Sequence, residues 1–173
     1  MEHLLQVYTG DGKGKTTASM GAALRMIGHK GKVFLVQFMK MDNSGELLPL
    51  KEMGVNIYPA PQFNKFTYQM NEDELKQASE DMKNAVDSMI EAINDFKPAL
   101  TVFDELCVAT GLKLIDEKQA LKLIDTALIH GECIVTGRYA PASFLEKADY
   151  VSEIKAVKHP FNEGMPAREG IEW

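Results

Sequence analysis

Thr9-Gly10-Asp11-Gly12-Lys13-Gly14-Lys15-Thr16-Thr17 decides how this chain is read. It follows the apolar run Leu4-Leu5-Gln6-Val7-Tyr8 and precedes a helical pattern, so the order is strand, glycine-rich loop, helix. Glycines let the backbone fold closely around a phosphate, and successive N–H groups with the positive end of the next helix supply neutralising donors. Gly10, Asp11, Gly12, Lys13, Gly14, Lys15, Thr16 and Thr17 are therefore the expected cradle of a nucleoside triphosphate. Lys15 reaches a terminal phosphate, and the Thr16 hydroxyl is placed to ligate Mg²⁺. Against the general pattern G-x-x-x-x-G-K-[ST], Thr9 stands where the first glycine would be.

Working outward, a helix is expected from about Lys15 to Ile27, stopping at Gly28, where positive φ is often needed. Val33–Phe38 is continuously apolar apart from Gln37 and has strand length, the mark of a strand covered on both faces of a parallel sheet. A weaker strand follows at Val55–Tyr58, then a loop from Pro59 to Asn71 bearing Phe63, Phe66, Tyr68 and Met70. From Glu72 to Phe96, Leu75, Ala78, Met82, Ala85, Met89, Ile93 and Phe96 recur at three- and four-residue steps, so one stripe of a long helix faces the core. Asn71 with Glu74 fits a capping box, and Pro98 ends the helix. Strands are expected at Ala99–Phe103, Cys133–Thr136 and Tyr150–Ile154. Helices are expected through Leu121, Ile124 and Leu128, and from Pro141 to Lys147. This alternation predicts one α/β domain over residues 1–173, a doubly wound, mainly parallel sheet of the P-loop NTPase (RecA-like) kind. The tail from Lys155 to Trp173 is expected to pack on the domain.

Composition narrows the classes. A chain of 173 residues with 45% hydrophobic and 25% charged residues is an ordinary globular protein with a core of its own. A net charge of −6 without a Lys/Arg block lacks the footprint of a general nucleic-acid binder. No apolar run approaches the roughly 18 residues of a membrane helix, and Met1-Glu2-His3 leads straight into the first strand, so a cytoplasmic protein is expected. Two cysteines, Cys107 and Cys133, make no disulfide framework and read as buried thiols.

Three further groups carry chemistry. Leu100-Thr101-Val102-Phe103 runs into Asp104-Glu105. In a P-loop protein, a strand beside the first ends in an acid that holds Mg²⁺, directly or through water. Asp104 and Glu105 both qualify. Asp104 could instead cap the following helix, and either acid could serve as a base toward water in an NTPase. Thr136-Gly137-Arg138 ends another strand, where a guanidinium could clamp phosphate bidentately or lie solvated. Arg25 has the same two readings. The segment Phe63–Met70 is either a lid over a flat apolar ligand or a stretch tucked onto the core.

Taken together, Tyr8–Thr17, Val36-Gln37-Phe38, Phe66-Thr67-Tyr68, Asp104-Glu105-Leu106, Thr136-Gly137-Arg138, Val157–Gly164 and Gly170-Ile171 resemble one family over nearly the whole chain. It is the P-loop type of ATP:corrinoid adenosyltransferase, acting on cob(I)yrinic acid a,c-diamide or cob(I)alamin. Thr9 is that family's own form of the loop. The resemblance implies that Co(I) of a reduced corrinoid attacks the 5′ carbon of Mg-ATP and that inorganic triphosphate leaves. It implies ATP bound in reverse, with the γ-phosphate where other P-loop proteins hold the α. It further implies ATP contacts by Arg25, corrinoid contacts by Phe66 and Tyr68, catalytic roles for Lys15, Glu105 and Arg138, and metal ligation among Thr16, Asp104 and Glu105. A homodimer and a flavodoxin-like reductant belong to the same expectation, with no nucleic-acid or membrane partner. The chain departs from familiar members in lacking an extension before the first strand, and in having Tyr68 where a tryptophan is common. A phosphotransferase or NTPase, and a non-catalytic nucleotide-gated corrinoid carrier, are the alternatives.

Overall fold

The structure, a computed structural model, describes residues 2–39, 44–61 and 70–172. Six strands, β1 (Leu5–Thr9), β2 (Val33–Gln37), β3 (Asn56–Tyr58), β4 (Leu100–Asp104), β5 (Glu132–Thr136) and β6 (Tyr150–Glu153), form one sheet. Every pairing is parallel, and the order is β3-β2-β4-β5-β1-β6. The helices are α1 (Lys15–Gly28), α2 (Leu47–Glu52), α3 (Glu72–Phe96), α4 (Leu106–Gly111), α5 (Glu117–His130) and α6 (Ala142–Lys147). A short 3-10 helix spans Pro160–Glu163. This is the expected single-domain, doubly wound α/β fold.

Period-two alternation sorts each strand between two cores. Leu5, Val7, Phe34, Val36, Phe103, Cys133 and Val135 pack with Met82, Val86, Met89 and Ile93 of α3 and Leu123, Ile124 and Ala127 of α5. Val33, Leu35, Leu100, Val102 and Ile134 pack on the other face, with Met20 and Ala23 of α1 and Leu50 of α2. Burial on both faces explains why these strands read as unbroken apolar runs rather than alternating ones. The long helix has the expected bounds, and its capping box forms: the Asn71 side chain accepts from the Glu74 N–H at 2.9 Å, and Glu74 accepts from the Asn71 N–H at 3.0 Å.

Several details differ from the sequence reading. Gly28 is the last helical residue of α1, and the positive φ falls on Lys30 (61°), not on a glycine. The short helix α2 lies where the sequence reading has none, and α4 is anticipated only as a helix that Asp104 could cap; the equally short α6 lies where a helix is expected. The acid-bearing strand β4 is not beside β1; β5 lies between them. The tail lies on the domain as expected, across the glycine-rich loop rather than on either core, and from Lys155 to Glu172 only His159 is even half-buried. Cys107 and Cys133 are buried free thiols, and burial pushes Cys107 up to about 12 and Cys133 higher still. The segment bearing Phe63, Phe66 and Tyr68 lies outside the described residues, apart from its last residue, Met70. None of the helices of the described residues is long and apolar enough to cross a membrane.

Candidate active site

The glycine-rich loop links β1 to α1 at the carboxyl end of the sheet, where open α/β folds bind ligands. Gly14 caps α1 with φ 121°, a conformation that suits glycine, and a Cβ there would meet nothing within 4 Å. The loop is thus open on that side. At Gly10 and Gly12 the reason for glycine is different. A Cβ on Gly10, whose φ is 98°, would lie 2.5 Å from the Ile154 carbonyl oxygen, and one on Gly12 would lie 2.7 Å from the same atom. The Gly12 N–H donates to that carbonyl at 2.7 Å. These two glycines let the chain leaving β6 run against the loop. Gly10→Ala combines a strained φ with a backbone clash, so we expect it to cost roughly 1–3 kcal/mol. At about 2–4 °C per kcal/mol for a domain of this size, a melt would read it directly. An unchanged melting temperature would show that the tail yields freely.

Above the loop lies a cavity of about 790 Å³. Its lining includes Asp11 to Thr17, Glu46, Glu105, Arg138, His159 and Glu172. That size is ordinary for a small-molecule or cofactor site. The Lys15 side chain is 7% exposed and folds back, its Nζ donating to the carbonyls of Gly10 and Gly12 at 2.8 Å each. Burial lowers its pKa, Glu105 opposes the shift, and Arg138 adds to it. An anion in the cavity would relieve both the desolvation and the repulsion between Lys15 and Arg138.

Beneath the cavity, three strands end on the α1 face in polar residues. Alternation carries Val33-Leu35 to Gln37 on β2, Leu100-Val102 to Asp104 on β4, and Ile134 to Thr136 on β5. Asp104 is completely buried. It accepts from the Thr16 hydroxyl at 2.9 and 3.1 Å, from the Thr136 hydroxyl at 2.6 Å, and from Gln37 Nε2 at 3.2 Å. Gln37 Nε2 also donates to Glu46 at 2.8 Å, on the cavity wall. Asp104 therefore serves Thr16 rather than a helix cap; α4 is capped by Glu105, without a side-chain hydrogen bond. Glu105 sits in the left-handed region at φ 63°, which costs of order 1–3 kcal/mol for a non-glycine residue. It faces the cavity beside Val108 and Arg138.

Oxygen donors from Thr16, Asp104 and Glu105 suit Mg²⁺, which takes one or two carboxylates and completes its octahedron with phosphate oxygens and water. Among the described residues the buried Gln37 Oε1 has no hydrogen-bond partner. Among the described residues no three His, Cys, Asp or Glu side chains converge as a cage. A divalent ion here would thus need the phosphates, as Mg²⁺ generally does.

The structure brings Asp11, Gly12, Lys13, Gly14, Lys15, Thr16, Thr17, Glu105 and Arg138 to one cavity, with Asp104 under its floor. It places Arg25 elsewhere: exposed, in the last turn of α1, close to Tyr8 and not on the cavity wall. Gln37, Glu46, Thr136, His159 and Glu172 were not singled out as site residues from the sequence. For Gln37 a signal existed, since it is the polar end of an otherwise apolar strand face.

Comparison with known proteins settles the family. The family model described as ATP:corrinoid adenosyltransferase BtuR/CobO/CobP matches residues 1–173. The chain belongs to this family. The adenosyltransferase is 31% identical over 171 residues to the corrinoid adenosyltransferase of Escherichia coli (strain K12), covering 98% of this chain and 85% of that protein. It is 30% identical over 171 residues to corrinoid adenosyltransferase CobA of Salmonella typhimurium (strain LT2), with the same coverage. With the Sinorhizobium sp protein of the same description it shares 31% identity over 173 residues, 98% of this chain and 80% of that one. The chain is thus an enzyme, a corrinoid adenosyltransferase of cobalamin biosynthesis with ATP and a corrinoid as substrates.

Proposed function

We propose that the enzyme transfers the 5′-deoxyadenosyl group of Mg-ATP to Co(I) of a reduced corrinoid. Co(I) supplies the electron pair for the new Co–C bond, the C5′–O5′ bond breaks, and inorganic triphosphate leaves with the bonding pair of that C–O bond. The observation that supports this most is the set of groups along one cavity: Lys15 in the loop, Arg138 in the same lining, and the oxygen set of Thr16, Asp104 and Glu105 for Mg²⁺. A leaving group of three phosphates calls for charge stabilisation along its whole length. Co(I) is itself the nucleophile, so the protein's tasks are orientation, leaving-group electrostatics and exclusion of water. A homodimeric enzyme, with a flavodoxin-like donor that reduces the corrinoid to Co(I), is part of the same proposal.

Chemically reduced corrinoid, ATP and Mg²⁺ should yield the light-sensitive spectrum of a Co–C bond together with free triphosphate. Orthophosphate as the only product would overturn the proposal in favour of a phosphotransferase or NTPase. Binding of both substrates without turnover would favour a carrier.

Phe66 and Tyr68 are proposed to press on the lower corrin face and displace the axial ligand of Co(II), which eases reduction to Co(I). Phe66→Ala should then cripple turnover when a biological reductant must make Co(I), and do far less damage when Co(I) is supplied. Equal losses in both assays would instead mark Phe66 as packing, where truncation costs about 3–5 kcal/mol of stability.

A further inference from the structure

We infer that Thr136 is a positioning residue for the metal–triphosphate reaction, one hydroxyl setting both acids of the site at once. The inference rests on the functional reading above. Thr136 is wholly buried at the end of β5, on the face that looks toward the start of α1. Its Oγ1 donates to Asp104 Oδ1 at 2.6 Å and accepts from the Glu105 N–H at 3.0 Å. The first bond fixes the carboxylate that also receives the Thr16 hydroxyl. The second holds the peptide of Glu105, the residue in left-handed conformation at the head of α4. A hydroxyl can donate and accept simultaneously, which a carboxylate, an ammonium or a methyl group cannot. Serine has the same capacity; valine has the same shape and neither bond.

Thr101 is the natural contrast. It is equally buried, on β4, yet among the described residues its hydroxyl has no hydrogen-bond partner. A buried threonine in this sheet is therefore not by itself a sign of a role in the site. What marks Thr136 is that both of its bonds end on neighbouring acids, where the adjacency of β4 and β5 places them. Partners that orient a metal ligand typically change metal affinity 10- to 100-fold when removed.

The test is calorimetric titration of the full-length protein with ATP, with Mg²⁺ and with EDTA, needing no corrinoid. Thr136→Val should weaken Mg²⁺-dependent ATP binding by about 10- to 100-fold and leave binding in EDTA unchanged. Thr136→Ser should restore wild-type behaviour, and Thr101→Val should match wild type throughout. If Thr136→Val does not fold, Thr136→Ala removes the same two bonds and takes its place. Equal behaviour of the Val and Ser variants, or equal losses with and without Mg²⁺, overturns the inference. Failure of the wild-type protein to bind Mg-ATP overturns the functional reading instead, so the two failures are separable.

Discussion

Lys15→Met is expected to lower kcat by about 10²–10³, or roughly 2.7–4 kcal/mol, by analogy with the loss of one preorganised donor to a developing anion. In the structure the ammonium is 7% exposed and held by the carbonyls of Gly10 and Gly12 at 2.8 Å. Those contacts are to neutral oxygens, and burial already disfavours the charge, as the direction of its pKa shift records. Methionine keeps the aliphatic stem and removes the buried charge, so the melting temperature of the ligand-free protein should move by no more than a few degrees. A large kinetic loss with a small change in melting is the signature of a side chain kept for its ligand. A variant that keeps wild-type turnover at limiting Mg-ATP would show that Lys15 does not face the triphosphate.

Asp104→Asn should have a comparably large effect, confined to metal. The carboxylate accepts from Thr16, Thr136 and Gln37, and it is fully buried. An amide in its place has one acceptor oxygen and one donor NH₂. The two threonine hydroxyls can rotate to suit, but the Gln37 NH₂ cannot become an acceptor without turning the amide and losing Glu46. The lost charge and the mismatched Gln37 amide together should raise the Mg²⁺ requirement by at least 10- to 100-fold. Binding of ATP in EDTA should hold or tighten, because a negative charge near the phosphates is gone. Equal weakening with and without metal would place Asp104 in the framework of the site rather than in its metal chemistry.

The clearest local signals were read correctly because local physics set them. Asn71 and Glu74 form their capping box, and α3 runs from Glu72 to Phe96, since a 25-residue stripe and a reciprocal cap need no partner to be recognised. Short helices were legible only in part: α6 lies where Pro141 marks a helix start, whereas the bounds of α4, six residues long and headed by Glu105 in the left-handed region, carry no local signal. The positive φ beyond α1 falls on Lys30 rather than on glycine, held by its N–H to the Ile27 carbonyl.

Sequence alone placed a glycine-rich loop between a strand and a helix, with Lys15 and Thr16 at the helix start, the arrangement expected of a phosphate site. It determined as much because a loop of this composition followed by a helix start binds phosphate through its own backbone, wherever the rest of the chain lies. Tertiary structure decided the rest. Strands buried on both faces are alike in hydropathy, so nothing local states that β5 separates β4 from β1, or that the tail crosses Gly10 and Gly12. That order puts Asp104 within 2.9 Å of Thr16, 88 residues away in sequence, and Thr136 within 2.6 Å of Asp104. A contact between strand ends is fixed by which strands lie side by side, and their order is set by how the helices between them pack on the two faces of the sheet.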